Sequence, residues 1–381
     1  MKLLIHDLNE EEWLTIADQY EDYEIIADEG TIKPCIGCFS CWNRTPGKCV
    51  IKDGYENMGC LIHHAEEVKV ISRYTYGGFS SFVKNVFDRC LGYVLPHFEL
   101  VNGESHHMKR YDETKPITFV FYGDELSEED RQQAIRYVNA VCINMRAEVK
   151  DVIFEEKKQR KAYRDNAPEM SGKVALLNAS MRSFDGNSAA LLELLKTKIQ
   201  REVEIVKLCE YLNEINGLVK YLEDYETIVL GMPLYVDGLP SQLIRLLEEF
   251  ERFYMAKSKK IYVLANMGLY ESGQLINQFA QVQNWCRQMN FAYMGSVGIG
   301  AGEMVGVLLR VNSGIVKPLL SRITKAIEKL AIAIDHNEKI DDVFTGVNLV
   351  PRFLYMAIAN SGWKKMAKAN GLEEKDLYTR L

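Results

Sequence analysis

The sequence predicts an α/β protein built as two doubly wound parallel sheets in tandem. Apolar segments of strand length alternate with amphipathic helical segments at the spacing of βαβ units. The same order occurs on both sides of a charged stretch, and one strand–loop–helix unit of the first half aligns without a gap on its counterpart in the second.

In chain order, the first half carries strands near Lys2 to Ile5 and Val68 to Ser72, and a helix from about Ser80 to Leu91. A strand near Ile117 to Tyr122 and a helix from about Ser127 to Arg146 complete it. The segment Glu155 to Lys173 is strongly charged, contains Pro and Gly, and separates two apolar-periodic regions, so it reads as a linker. Beyond it, strands recur near Val174 to Asn178, Thr227 to Gly231, Lys260 to Ala265 and Met294 to Ile299, with helices between. The expected domains are 1–154 and 173–335, followed by a helical tail at 336–381. VISRYTYGGFSSFVKNVFDR aligns on VLGMPLYVDGLPSQLIRLLEEF, with Thr75 falling on Tyr235 and Gly78 on Gly238. Such a repeat implies a tandem duplication, a covalently joined pseudo-dimer of two related sheets.

A chain of 381 residues exceeds one ordinary core. Apolar content of 47% and charged content of 26% are those of a folded globular chain. The formal net charge of -7 offers no basic footprint for nucleic acid and no attraction to anionic lipid, so neither partner is expected. MKLLIHDLNEEEW turns acidic after one short apolar run, and no apolar run reaches membrane-spanning length; a cytoplasmic protein is expected.

Residues 173–192, KVALLNASMRSFDGNSAALL, read as a buried strand, a Gly/Ser/Asn turn with one arginine, and the first turns of an amphipathic helix. This is a phosphate cradle. Backbone N–H groups at a helix N-terminus lack intrahelical partners and sit at the positive end of the macrodipole. Ser180, Ser183, Asn187 and Ser188 add hydroxyl and amide donors, and Arg182 adds a charge-assisted contact. The ligand expected is a phosphorylated cofactor. GxxxxGK[ST] is absent, and Gly298-Ile-Gly300-Ala-Gly302 lacks the spacing of a dinucleotide fingerprint. Ligands of doubly wound sheets bind at the carboxyl ends of strands, where strand order reverses. Three loops suit that position: Asn178 to Ser188, Met232 to Gly238, and Ala265 to Tyr270.

These loops resemble those of the NAD(P)H-dependent FMN reductases of the flavodoxin-like superfamily and their iron–sulfur flavoprotein relatives, over nearly the whole second half and less completely the first. The resemblance implies FMN as cofactor, NAD(P)H as co-substrate, and two flavodoxin-like three-layer αβα domains. It assigns the FMN phosphate to Ser180, Arg182, Asn187 and Ser188, and the isoalloxazine to Pro233, Leu234, Tyr235, Val236 and Gly238. Asn266, Met267 and Gly268 would flank the ring's other edge. A planar ring needs flat apolar contact and backbone donors, which such loops offer. Packed-core and helix-capping roles are the structural alternatives for Tyr235 and for Ser180 and Asn187. The segment from Val350 through Trp363 to Leu372 also looks like the family's tail, expected to pack on a domain or a second chain.

In the first half the loop equivalent to the phosphate cradle is Ile5-His6-Asp7-Leu8-Asn9-Glu10-Glu11-Glu12. A like-charge pair 4 Å apart near a protein surface costs about 4 kcal/mol, so its carboxylates would repel a phosphate. Arg73 and Thr75 stand where the second half has Pro233 and Tyr235, while Gly77, Gly78 and Ser81 keep the turn. One flavin per chain is expected.

Nine cysteines in a chain without a secretion signal point to metal or redox chemistry rather than a disulfide scaffold. Cys35, Cys38, Cys41 and Cys49 form a Cx2Cx2Cx7C pattern whose last member returns after a Pro-Gly turn. The spacing suits the corners of a [4Fe–4S] cube better than zinc knuckles, although zinc and structural or redox-active thiols stay open. The pattern resembles that of the iron–sulfur flavoproteins, whose cluster lies near FMN across a dimer contact; the resemblance implies that a joined pseudo-dimer places cluster and flavin alike. Cys60, Cys90, Cys142, Cys209 and Cys286 read as buried small hydrophobes. His63-His64 and His106-His107 read as solvated or capping residues, because adjacent side chains point apart.

The expected function is a flavin oxidoreductase of the flavin or quinone reductase kind. NAD(P)H delivers hydride to FMN in the second half, with no catalytic side chain, for a small-molecule or protein electron acceptor. Two alternatives stand beside it: an electron carrier passing single electrons between a [4Fe–4S] cluster and FMN, and a non-catalytic flavin- or redox-sensing module. A homodimer is compatible with either.

Overall fold

The strand order of each sheet follows from where the apolar runs fall. The computed structural model describes residues 1–156, 167–168, 172–182, 186–253, 257–311, 313–314 and 316–381. Most of the charged segment expected as a linker, and Ser183, lie outside the described residues. Two units are formed, Met1–Lys161 with Met356–Leu381, and Ala162–Tyr355.

In the first unit the chain runs through β1 (Lys2–His6), α1 (Glu10–Leu14), β2 (Tyr23–Ala27), α2 (Ser40–Asn43), α3 (Met58–His64), β3 (Glu67–Arg73) and α4 (Ser81–Arg89). It continues through β4 (Val94–Val101), β5 (Glu104–Lys109), β6 (Pro116–Gly123), α5 (Glu128–Met145) and β7 (Glu148–Glu156). The sheet order is β2-β1-β3-β6-β7, with every neighbouring pair parallel. β4 and β5 form a separate antiparallel hairpin inserted between α4 and β6.

The second unit contains β8 (Ala167–Pro168), β9 (Val174–Asn178), α6 (Asn187–Lys196), β10 (Val203–Lys207), α7 (Ile215–Leu222), β11 (Thr227–Pro233) and α8 (Ser241–Arg252). Then come β12 (Lys257–Ser258), β13 (Lys260–Asn266), α9 (Ile276–Met289), β14 (Ala292–Ile299), α10 (Gly302–Val311), α11 (Lys317–His336), β15 (Val343–Thr345) and α12 (Arg352–Ala369). Its main sheet runs β10-β9-β11-β13-β14-β15, again parallel, while β8 and β12 pair apart from it.

Taken in chain order within each sheet, both give the order 2-1-3-4-5 of a flavodoxin-like doubly wound fold, extended in the second unit by β15. The expected α/β fold of two parallel sheets is therefore what the chain adopts. Central strands are covered on both faces: Val174 to Leu177 of β9 and Ile228 to Leu230 of β11 are fully buried. Gly231 lets α6 sit low over the sheet, since a methyl there would overlap the side chain of Leu192. That close approach sets the height of α6's N-terminus above the ends of β9 and β11. Residues from Met356 onward belong to the first unit, where Trp363 packs edge-on against Trp42 (ring centroids 5.1 Å) and Phe39 (5.4 Å).

Candidate functional site

The switch point of the second sheet lies between β9 and β11, and the carboxyl ends of β9, β11 and β13 carry the loops expected to hold a ligand. The first loop leaves β9 through Asn178, whose Oδ1 accepts from Ser180 N at 3.0 Å, and Ser180 Oγ in turn accepts from Arg182 N at 3.3 Å. Ser180, Asn187 and Ser188 are buried, and α6 starts at Asn187 behind Gly186, which as N-cap offers no side-chain hydrogen bond. Gly186 thus brings no side-chain oxygen to the N-terminal amides of α6 that would compete with an anion. Asn178 Nδ2 is buried and has no hydrogen-bond acceptor among the described residues. An orphaned donor beside an uncapped helix start fits a phosphate oxygen.

The second loop turns on Tyr235 and Gly238, which exchange backbone hydrogen bonds (Tyr235 N to Gly238 O, 3.4 Å; Gly238 N to Tyr235 O, 3.0 Å). Val236 and Asp237 between them have positive φ, 38° and 58°. For a β-branched residue this is strained backbone, of the kind found at ligand clamps. Pro233, Leu234, Tyr235 and Val236 are half-buried, so Tyr235 is not enclosed in the core. Gln278 of α9 fixes this loop, Nε2 donating to Pro233 O (2.9 Å) and Gly238 O (3.1 Å), and Gln281 Oε1 accepts from Leu239 N at 2.9 Å.

The third loop is bound to the other two through Asn266, a buried residue at the end of β13. Its Nδ2 donates to Ser188 Oγ (2.6 Å) and Met232 O (3.3 Å), while its carbonyl accepts from Leu234 N (2.8 Å). Met267 is buried behind it and Gly268 is exposed. The structure therefore brings the expected residues of all three loops to one sheet end. Asn178, Gln278 and Gln281 are absent from the sequence-based selection. Asn178 stood there as the last strand residue and the start of the first loop, without a ligand role, and the glutamines lie on α9 far along the chain.

The equivalent sheet end of the first unit is built differently. Asn9 caps α1 in a capping box, its Oδ1 accepting from Glu12 N (2.9 Å) and its N donating to Glu12 Oε2 (3.1 Å). The Asp7 carboxylate takes the Arg73 N–H at 3.0 Å, and Tyr122 Oη donates to Asp7 O at 3.1 Å. Burial pushes the Asp7 carboxyl up to about 6 against hydrogen bonds that pull it down. Here the Asn9 amide and the Glu12 carboxylate occupy the helix start, whereas the N-cap of α6 is Gly186, without a side chain. The turn itself is the same: Thr75 and Gly78 exchange backbone bonds of 3.0 and 2.9 Å around Tyr76 and Gly77, both at positive φ.

The cysteine loop lies in the first unit. Gly37 and Phe39 take left-handed backbone (φ 63° and 55°), doubling the chain back between Cys35, Cys38 and the one-turn helix α2 that carries Cys41. Gly47 N donates to Cys41 O (2.9 Å) and Cys49 N to Glu56 O (2.9 Å), which returns the last thiol to the others. Cys35, Cys38, Cys41 and Cys49 line one cavity of about 20 Å³ together with Asp88, Arg89 and Leu91. Among the described residues no group of three His, Cys, Asp or Glu converges as a single metal ion requires. Burial pushes Cys35 up to about 12 and Cys41 upward as well, so these are not activated thiols. Arg89 is clamped bidentately by Asp53 (2.8 and 3.0 Å), lies against Cys49, and keeps a buried Nε–H without an acceptor among the described residues.

Two expectations need correction. Of the histidine pairs only His64 is exposed: His106 is buried with Nδ1 2.7 Å from Asn144 Oδ1, His107 packs on Trp42 and Phe98, and His63 stacks on Tyr111 at 3.7 Å. Of the scattered cysteines, Cys90, Cys142 and Cys286 are buried, whereas Cys60 and Cys209 are half-buried, Cys60 facing His64 Nδ1 at 3.3 Å.

No protein-family model and no curated protein matches the chain. Solved structures resemble it over part of its length. The Trp repressor binding protein from Bacillus subtilis is 19% identical, over 32% of this chain and 81% of its own, with a TM-score of 0.27. The azoreductase from Bacillus anthracis str. Sterne is 14% identical, over 43% and 99%, with a TM-score of 0.32. A flavone reductase is 14% identical, over 49% and 70%, with a TM-score of 0.33. At scores this low the fold rests on the strand order itself. Among the described residues no helix is long and apolar enough to cross a membrane.

Proposed function

We propose that the chain is a flavin-dependent oxidoreductase, with FMN held by the strand-end loops of the second unit and reduced by NAD(P)H. The observation that carries this is the joining of three loops at the switch point through Asn266, around a helix start whose N-cap is a glycine and beside the Asn178 donor, which has no acceptor among the described residues. In this reading Ser180, Arg182, Asn187 and Ser188 hold the phosphate. Half-buried Pro233, Leu234, Tyr235 and Val236 with buried Gly238 present a face to the ring, and Asn266, Met267 and Gly268 border its other edge. FMN, when bound, supplies two-electron chemistry; the side chains bind, orient and exclude water, and none needs to act as nucleophile or base. Anaerobic stopped-flow mixing of the FMN-loaded protein with NADH and with NADPH tests this. Bleaching of the flavin band by at least one nicotinamide is expected, and bleaching by neither would refute it.

A second reading is favoured by the cysteine cavity: an electron carrier whose first unit holds a [4Fe–4S] cluster. The four cysteines line one cavity beside Arg89, and their Cx2Cx2Cx7C spacing suits the corners of a cube better than a single ion. Iron and acid-labile sulfide in protein purified without oxygen test it. About four irons per chain, lost in Cys41→Ser, supports the carrier; protein without iron leaves a structural thiol loop.

A further inference from the structure

The turn of the second loop is held from outside itself. Backbone bonds between Tyr235 and Gly238 close it, but they leave Val236 and Asp237 at φ 38° and 58°, a conformation costly for a β-branched residue. Two glutamines of α9, three residues apart and so on one helix face, bind the chain on either side of the turn. Gln278 Nε2 donates to the carbonyls of Pro233 and Gly238, and Gln281 Oε1 takes the N–H of Leu239. Both side chains belong to residues at most 1% exposed. Yet Gln278 Oε1 has no donor, and Gln281 Nε2 no acceptor, among the described residues. A buried polar atom left unmatched costs stability, so an apolar residue of the same length would serve the core better. What the pair does secure is the shape of the loop.

The first unit supplies the contrasting case. Its turn has Tyr76 and Gly77 at the two positive-φ positions, 54° and 100°. The helix that follows β6, as α9 follows β13, also sends in a buried glutamine, but to the tip of the turn. There Gln133 Nε2 donates to Tyr76 O at 3.4 Å and lies where a Cβ on Gly77 would stand. In the second unit Asp237 replaces that glycine, and its Cβ would overlap a glutamine seated in this way. The glutamine thus fills the turn's tip in the first unit and braces its ends in the second.

We propose, resting on the flavin reading above, that Gln278, with Gln281 beside it, is a positioning residue for the isoalloxazine: it sets the face that Pro233 to Val236 present to the ring. Its effect is on how the ring is held, and the phosphate loop is not part of it.

The test compares binding of FMN and of riboflavin to the full chain stripped of flavin, followed by flavin fluorescence, in wild type, Gln278→Met and Trp285→Phe. Methionine keeps the length of Gln278 without its donors. Trp285 is a buried residue further along α9 that packs on Phe250 and Phe291, so Trp285→Phe disturbs the helix without touching the loop. Visible circular dichroism of the bound flavin reports the surroundings of the ring, and far-ultraviolet circular dichroism checks folding. Gln278→Met is expected to weaken FMN and riboflavin by the same factor, roughly ten-fold, and to change the visible band. Trp285→Phe is expected to leave both as in wild type. Gln281→Met, which removes a single bond, should act like Gln278→Met to a smaller degree, and it carries the test if Gln278→Met does not fold. Unchanged affinity and spectrum in the glutamine variants, weakening confined to FMN, or the same changes in Trp285→Phe overturns the role of Gln278 while leaving the flavin site standing. A wild-type chain that takes up neither ligand overturns the flavin reading itself.

Discussion

Replacing Asn266 by alanine is expected to loosen the three loops of the second unit together. The side chain is 4% exposed and its amide gives two hydrogen bonds, a short one to Ser188 Oγ (2.6 Å) and a longer one to Met232 O (3.3 Å). A typical intramolecular hydrogen bond contributes about 1 kcal/mol net, and a buried acceptor left without its donor costs about 1–3 kcal/mol. Ser188 is itself 3% exposed, so water does not readily replace the lost donor. The expected cost to the second unit is therefore about 2–4 kcal/mol. Asn266→Leu keeps the volume and removes the donors, which separates hydrogen-bond loss from cavity formation. Urea unfolding gives the stability change, and hydrogen–deuterium exchange resolved to peptides covering 178–188, 232–238 and 265–270 shows whether the loops loosen as a group. A cost below about 0.5 kcal/mol with unchanged exchange in all three peptides would refute Asn266 as the tie between them.

Trp363→Ala removes a buried tail residue packed on Trp42 and Phe39; a cost of about 3–5 kcal/mol to the first unit and faster labelling of Cys38 and Cys49 by a thiol reagent are expected. Unchanged labelling would mean that the tail does not brace the cysteine loop. Asp7 should make the first unit less stable as pH rises. Its folded carboxyl lies near 6, above the usual 3.8, so between those values the folded chain holds a proton that the unfolded chain has lost. At 1.36 kcal/mol per unit the effect is at most about 3 kcal/mol, and the stability of Asp7→Asn relative to wild type should grow from pH 4 to pH 7 in chemical denaturation. A difference that does not vary with pH would contradict this. Val236→Gly relieves backbone strain at φ 38°; a stability gain of about 1 kcal/mol with weaker FMN binding is expected, and a loss of stability would show that the turn is not strained.

The sequence exposed those parts of the fold that are buried on both faces. β1, β3, β6, β9, β11, β13 and β14 read as apolar runs because helices cover both sides of them. β2 (YEIIA), β7 (EVKDVIFEE) and β10 (VEIVK) escaped detection: each lies at a sheet edge, has residues open to solvent, and alternates charged with apolar positions. β4 and β5 escaped too, since a hairpin with Pro96 in one strand and His106-His107 in the other has no run of strand formers. At the candidate site, the loops were legible because turn chemistry is local. Asn9 and Glu12, read in the sequence only as part of a carboxylate-rich loop, form a capping box. Pairings such as Gln278 with Pro233, Arg310 with Asn187 and Trp363 with Trp42 join residues far apart in sequence, and no periodicity in one segment announces its partner in another.

The measurement that bears most directly on the account is the flavin-to-protein ratio of the full chain, saturated with FMN, freed of excess ligand, and assayed by flavin absorbance against amino-acid analysis. One FMN per chain is expected for wild type, with the bound flavin lost or greatly reduced in Arg182→Gln and retained in Arg73→Gln, at the equivalent sheet end of the first unit. A ratio near zero, a ratio near two, or flavin that depends on Arg73 rather than Arg182 would contradict a single site in the second unit.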